Sequence, residues 1–456
     1  MNSLILLTAL SAGQPPGVYL PPIPQPGAGT AAQPPMTLPM AQPPMGMPPA
    51  KNGDGEKKED EEKKDEEKKE DEKPAPEPYA LMRALKGTGF GNFLDDNGIT
   101  ISGWVQGNYT ASTASRNNLP VTFNDRADFW QFNQLYLKME KSIDTSKSEF
   151  QLGGRIDLLY GSDARFSVPR GLFDDQIKPA GRNGALPNYF PVDIFQMYGE
   201  AFLPNLGPNG TSVKVGRFAT LVGYELVQGA ETPFLQRSYL FQYNPFTHSG
   251  AVATTQLNDT WAISYGLTVG TDNFFGDTSN KLSYIGQLKW APKEGKSNLL
   301  LNVVLTDNNF QPNQGFPPSA GFPLYNVYNA VFTHNFTDRL TYVADTTFSH
   351  IDGAPLPANN NARGSATWYG AANYLIYKHC NDKFTSNFRV ELFEDTKGFR
   401  TGFKGLYTEV TYGLAYAPVQ GLIFRPTVRY DHNNDSRPFE GKSNLFTAAF
   451  DMILRY

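Results

Sequence analysis

From Ile99 to the terminal Tyr456 the sequence alternates apolar and polar residues with a period of two, and no helical stripe interrupts it. In 99–112, Ile99, Ile101, Val105, Tyr109 and Ala111 share one parity, while Thr100, Ser102, Gln106, Asn108 and Thr110 share the other; Trp104 is the exception. Phe384, Phe388, Val390 and Leu392 oppose Thr385, Asn387, Arg389 and Glu391 in the same way. Such a pattern folds as strands with one apolar and one polar face. A soluble sandwich and a membrane barrel share it, so the connections must separate the two.

The alternation places sixteen strands, near 99–112, 129–141, 150–160, 194–204, 212–218, 247–256, 261–270, 283–290, 298–306, 324–334, 340–349, 366–377, 383–393, 406–416, 422–430 and 444–456. The gaps between them run long, short, long, short along the whole chain. The long ones are 113–128, 161–193, 219–246, 271–282, 307–323, 350–365, 394–405 and 431–443. An outer-membrane barrel has this asymmetry, with short periplasmic turns and long external loops. Trp130, Trp261, Trp290 and Trp368 fall at strand ends, where membrane interfaces hold amphipathic rings. In the last strand Phe446, Ala448, Phe450, Met452, Leu454 and Tyr456 make one apolar parity that ends on an aromatic. The expected fold is all-β: a transmembrane antiparallel up-and-down barrel of about sixteen strands, with fourteen to eighteen open.

The chain divides before the barrel. Residues 1–13 read as a signal peptide, since LILLTAL (4–10) is followed by small residues. Residues 14–50 are a Pro-rich disordered spacer, and residues 1–78 hold 16 of the 35 prolines. Residues 51–78 are a charged Lys/Glu linker, polar all round and unable to bury a core. Residues 79–97 are a short connecting segment, and 98–456 are the barrel. With no apolar window of about 20 residues, a helical membrane protein is excluded. The single Cys380 excludes a disulfide scaffold, and a sequence pI near 5.7 without a basic stripe argues against nucleic-acid binding.

At GGRIDLLYGSDARF (153–166), GRFATLVGYE (216–225) and QRSYLFQYNPFTHSG (236–250) the chain resembles the OmpL-like β-barrel porin family. The resemblance implies a diffusion channel of the bacterial outer membrane, and no reaction. Gln236 stands where the family usually has a small hydroxyl residue.

In a barrel the polar parity faces the lumen and sets what passes. Its candidate pore-lining charges are Arg155, Asp157, Arg389, Glu391, Arg425, Arg429, Asp431, Asp451 and Arg455. The last strands are neighbours in a closed barrel, so much of this charge should share one wall. The third long connection, 219–246, corresponds in order to the loop that enters the lumen of general porins. Its Glu225, Glu231 and Arg237 are the expected constriction residues, and 161–193, with Arg165, Arg170, Asp174 and Asp175, is the alternative. Arg217 shares parity with Val213 and Val215, so it must face lipid, follow a bulge or lie outside its strand; a charge on the lipid face would cost about 2–4 kcal/mol, which favours a bulge or strand end.

Enzymatic and metal readings find little. The five histidines are scattered, His379–Cys380 lacks two further ligands, and no G-x-S-x-G or P-loop occurs. No catalytic residue, metal or cofactor is expected. The expected partners are outer-membrane lipid, small hydrophilic solutes, and the barrel-assembly machinery through the strand ending at Tyr456; a homotrimer is open to it. The tail would lie in the periplasm. Two alternatives remain at this stage, a secreted all-β binding protein (for carbohydrate, for instance) and an outer-membrane barrel enzyme.

Overall fold

A computed structural model describes residues 79–177, 188–275, 282–293, 295–307, 325–356 and 362–456; the expected signal peptide, spacer and charged linker lie outside them. Sixteen antiparallel strands close into one barrel, each bonded to its sequence neighbours and the first to the last. They are β1 (Ile99–Ser112), β2 (Phe129–Lys141), β3 (Gln151–Tyr160), β4 (Val192–Leu203), β5 (Thr211–Ala219) and β6 (Thr247–Gln256). Next come β7 (Trp261–Thr268), β8 (Ser283–Trp290), β9 (Ser297–Leu305), β10 (Asn326–Asn335) and β11 (Leu340–Pro355). The set ends with β12 (Arg363–Lys378), β13 (Phe384–Asp395), β14 (Gly405–Val419), β15 (Leu422–Asn433) and β16 (Asn444–Arg455). All sixteen expected strands are present.

The seam pairs Trp104 with Arg455 and runs to Ser112 with Thr447. Beyond it the Tyr456 N–H donates to the Gly103 carbonyl at 3.0 Å, and the Gly103 N–H returns to Tyr456 at 3.2 Å. The sheet therefore has no free edge, which a hydrocarbon environment requires because it offers backbone groups no other partner.

The two faces are inverted relative to a soluble protein. Gln106, Asn108 and Thr110 are buried inside, while Phe446, Phe450, Met452 and Leu454 stand outward, Leu454 half exposed at 50%. Outward Leu301, Tyr328, Phe348, Tyr369, Leu392, Tyr412 and Tyr430 continue this apolar face around the circumference.

Four expectations are corrected. Trp368 is not an interface residue: it lies within β12, points inward and is 1% exposed, in ring contact with Tyr325 and Phe399. Trp130, at the start of β2, is by contrast 72% exposed. The connection expected at 350–365 shrinks to 356–362, no longer than the short turn 204–210, because β11 and β12 continue pairing past a register shift to Pro355 and Arg363. The connection expected at 394–405 likewise shrinks to 396–404, because β13 and β14 stay paired out to Asp395 and Gly405. Arg217 is fully buried inside the barrel, although pairing on both sides of β5 runs through it without a register shift. Its parity changes at Gly216, whose φ of +136° is one that side chains rarely adopt and where a Cβ would meet the Met197 carbonyl at 2.2 Å.

The connecting segment before the barrel holds two helices, α1 (Ala80–Leu85) and α2 (Gly89–Asp96), the latter capped by Thr88, whose hydroxyl accepts from the Gly91 N–H at 2.9 Å. Tyr79 sits at the short-turn end, its hydroxyl accepting from Arg455 at 3.3 Å.

The inverted faces give a direct test. Leu301→Arg, in mid-strand on the outer face, should lower unfolding free energy in lipid vesicles by about 2–4 kcal/mol. Thr333→Arg, facing the lumen, should cost much less in the same denaturant titration; equal losses would count against the assignment of faces.

Candidate pore and its inward-folded loop

The connection 220–246 between β5 and β6 lies inside the barrel. Every residue of it is buried except Tyr224 and Glu231, which are half-buried. Three features of its sequence let it lie there: it carries few charges, its glycines allow close approach, and Ser238 caps the short helix α4 (Tyr239–Tyr243) by accepting from the Phe241 N–H at 3.1 Å. At Gly229 a Cβ would fall 1.8 Å from Gln106 Oε1, so a larger residue there would have to displace the Gln106 side chain from its place on β1.

The loop is bonded to the wall around most of the circumference. Gly223 and Tyr224 donate N–H groups to Asn329 (3.1 Å) and Asp345 (2.9 Å) on β10 and β11. The Val227 carbonyl accepts from Gln134 at 2.7 Å, and the Gly229 N–H donates to Gln134 at 3.0 Å, on β2. Arg425 on β15 donates to the Thr232 carbonyl at 2.6 Å, and Arg455 on β16 to the Ala230 carbonyl. On β13 the Glu391 carboxylate accepts the N–H groups of Tyr239 (2.7 Å) and Leu240 (2.6 Å). Glu225 takes Arg389 as its ion-pair partner and accepts from the Tyr374 hydroxyl at 3.1 Å.

Apolar packing completes the attachment. Leu221, Val222, Phe234, Tyr239 and Leu240 form one cluster with inward-facing Val252, Ile285, Val304, Val327 and Val343. Val227, Ala230, Phe241 and Phe246 form another with Trp104, Tyr136, Leu159 and Phe195. These wall residues occupy the parity expected to be polar, and they are apolar where the loop covers them.

The candidate charges all face inward and are fully or nearly fully buried. Arg155 pairs with Asp157 at 2.8 Å and Arg425 with Asp451 at 2.6 Å. Arg429 pairs with Asp431 at 2.7 Å. Because β13 to β16 are consecutive, Arg389, Glu391, Arg425, Arg429, Asp431, Asp451 and Arg455 do share one wall. Glu409, which the sequence reading passed over, completes it: it lies opposite Glu391 and Asp431 and pairs with Arg389 at 2.9 Å. Its signal was the alternation Tyr407, Glu409, Thr411 against Thr408, Val410, Tyr412. Asp193, bonded to Arg217 at 2.6 Å, was also missed.

In the loop, burial away from water raises the Glu231 carboxyl above its ordinary range and lowers the Arg237 guanidinium to about 10. Arg237 donates to the carbonyls of Phe234 and Val227. At the loop's far end, Asp272 accepts the N–H groups of Phe246 (3.0 Å) and Thr247 (2.8 Å), and burial pushes its carboxyl up to about 7. In the alternative connection, Arg165 of α3 (Ala164–Ser167) is buried and paired with Asp125 at 2.8 Å, and Arg170 is buried. Asp174 is half-buried, Asp175 is exposed, and residues 178–187 lie outside the described ones.

A different group of inward residues is half-buried. Lys138, Glu140, Glu200 and Lys214 lie on β2, β4 and β5, with Lys138 3.1 Å from Glu140 and Lys214 3.9 Å from Glu200. Gln287, Lys289 and Asn298 follow on β8 and β9. Cys380 is an exposed free thiol, and no group of three metal-ligating side chains occurs among the described residues.

The family model described as "Putative beta-barrel porin-2, OmpL-like" matches residues 98–456, the whole barrel. The chain belongs to this family. It is an outer-membrane porin, a non-enzymatic channel for passive diffusion. Solved structures similar to this porin include the outer membrane channel DcaP of Acinetobacter baumannii (10% identity, 78% of this chain and 97% of that chain covered, TM-score 0.48). OprB of Pseudomonas putida is 13% identical over 81% of this chain and 96% of its own, with a TM-score of 0.49. The anion-selective porin from Comamonas acidovorans is 10% identical over 78% and 99%, with a TM-score of 0.48. No curated protein matches the chain.

The attachment of the loop is testable at Glu391. Glu391→Ala leaves two loop N–H groups without acceptors, at about 1–3 kcal/mol each. The variant should become susceptible to tryptic cleavage after Arg237 in folded, vesicle-embedded protein, where the parent resists. Equal resistance would mean that the loop is held elsewhere.

Proposed function

We propose that this porin passes small hydrophilic solutes through the part of the lumen that the loop leaves open, beside the half-buried inward residues of β2, β4, β5, β8 and β9, and that 220–246 is its constriction. The observation that carries the reading is the contrast in burial. The charged wall from β13 to β16 lies under the loop with its ion pairs closed. Half-buried inward Lys138, Glu140, Glu200, Lys214, Gln287, Lys289 and Asn298 instead lie on β2, β4, β5, β8 and β9.

Arg155, Asp157, Arg389, Glu391, Arg425, Arg429, Asp431, Asp451 and Arg455 then act on passage indirectly, by holding the loop in place and so setting the width beside it. Glu225, Glu231 and Arg237 act from the loop, with half-buried Glu231 the one nearest water. Beside it, half-buried Gln287 and Asn298 offer amides, and the close pairs Lys138–Glu140 and Lys214–Glu200 offset each other's charge. That chemistry suits neutral polar solutes and small ions.

The C-terminal strand supports a second proposal, recognition by the barrel-assembly machinery through outward Phe446, Phe450, Met452 and Leu454 and the terminal Tyr456. The position of Tyr79 at the short-turn end supports a periplasmic tail.

Replacing 226–240 by a short Gly/Ser linker should raise single-channel conductance and admit larger sugars in liposome-swelling assays. Unchanged conductance and an unchanged sugar size limit would refute the constriction.

A further inference from the structure

On the wall from β6 to β11 the only Lys or Arg facing the lumen, among the described residues, is Lys289. It shares parity with inward Ser283, Ile285 and Gln287, and it sits opposite Ala262 of β7 and Leu300 of β9. Its ammonium has no hydrogen bond, ion pair or charged neighbour among the described residues. The other inward cations differ. Lys138 and Lys214 have Glu140 and Glu200 beside them, and Arg155, Arg217, Arg389, Arg425 and Arg429 are closed against carboxylates.

A buried carboxylate on this wall is committed elsewhere. Asp345 of β11 accepts the Tyr224 N–H at 2.9 Å and the Asn329 amide at 2.7 Å. Lys289 is also within reach of water, being half-buried near the short-turn end of β8. A lysine keeps a compact, strongly hydrated point charge on a flexible stem. Beside neutral Gln287 and Asn298, and with Lys138 and Lys214 offset by Glu140 and Glu200, that charge is the uncompensated one of this half-buried group.

We propose that Lys289 is an anion-recognition residue of the solute path, giving the channel a preference for small anions, including solutes that carry a carboxylate or phosphate. The inference rests on the reading that solute passes beside the half-buried inward residues, of which Lys289 is one. It adds to that reading a sign of selectivity and the residue that sets it. A unit charge roughly 6 Å from a passing ion in a water-like dielectric changes its relative occupancy about threefold, so the preference is modest and the channel stays non-specific.

The test uses full-length protein in planar bilayers under a potassium chloride gradient, with the reversal potential giving the chloride-to-potassium permeability ratio. The parent should favour chloride. Lys289→Gln should lower the ratio by up to about tenfold, since the charge favours chloride and disfavours potassium by about threefold each, and Lys289→Glu should lower it further, to cation preference. In parallel, Asn298→Cys in a Cys380→Ser background places a thiol beside Lys289 on the same wall. Labelling it with a bulky methanethiosulfonate should reduce the current. If labelling reduces the current but both Lys289 variants keep the parental ratio, the anion assignment is overturned while the path stands. If labelling leaves the current unchanged, the path is overturned and the assignment of Lys289 goes with it.

Discussion

Hydrocarbon offers a backbone N–H or C=O no partner, and everything else in this barrel follows from that constraint. It demands that β1 meet β16, and the mutual bonds of Gly103 and Tyr456 show the closure carried to the last residue. It also inverts the usual order of faces. Once the apolar parity is turned to lipid, the polar parity has only the lumen to face. An enclosed wall of arginines and carboxylates must then be paired or hydrated, because a buried charge without a partner is costly.

The loop 220–246 meets part of that demand. Arg389 is shared between Glu409 on the wall and Glu225 on the loop, Glu391 accepts two loop N–H groups, and Arg425 and Arg455 reach loop carbonyls. Buried ion pairs of this kind contribute little net stability compared with apolar contacts, but removing one partner is expensive. They therefore fix where the loop lies more than how firmly the barrel folds. The apolar share of the attachment comes from Leu221, Val222, Phe234 and Leu240 against inward valines.

Much of the fold was legible because period two and turn length are local properties of the chain. The strands, their inward polar face and the order of the entering loop could all be read at Ile99–Ser112, Asn444–Arg455 and 219–246. What was not legible depends on contacts across the lumen. Val304, Val327 and Val343 sit on the polar parity as a floor for the loop, and nothing in their own strands announces it. Trp368 looked like an interface ring, but it is an inward one, sharing the parity of buried Ala366, Ala372 and Tyr374. Arg217 defied its parity through one glycine torsion at Gly216. Glu409 was legible and overlooked, since alternation alone does not rank one inward charge above another.

The loop 220–246 is a packed element of the lumen. Hydrogen–deuterium exchange of the porin in lipid nanodiscs measures this directly. The N–H groups of Gly223, Tyr224, Gly229, Tyr239 and Leu240, all bonded to the wall, should exchange as slowly as those of the neighbouring strands. Exchange across 220–246 as fast as in the exposed turns would contradict it.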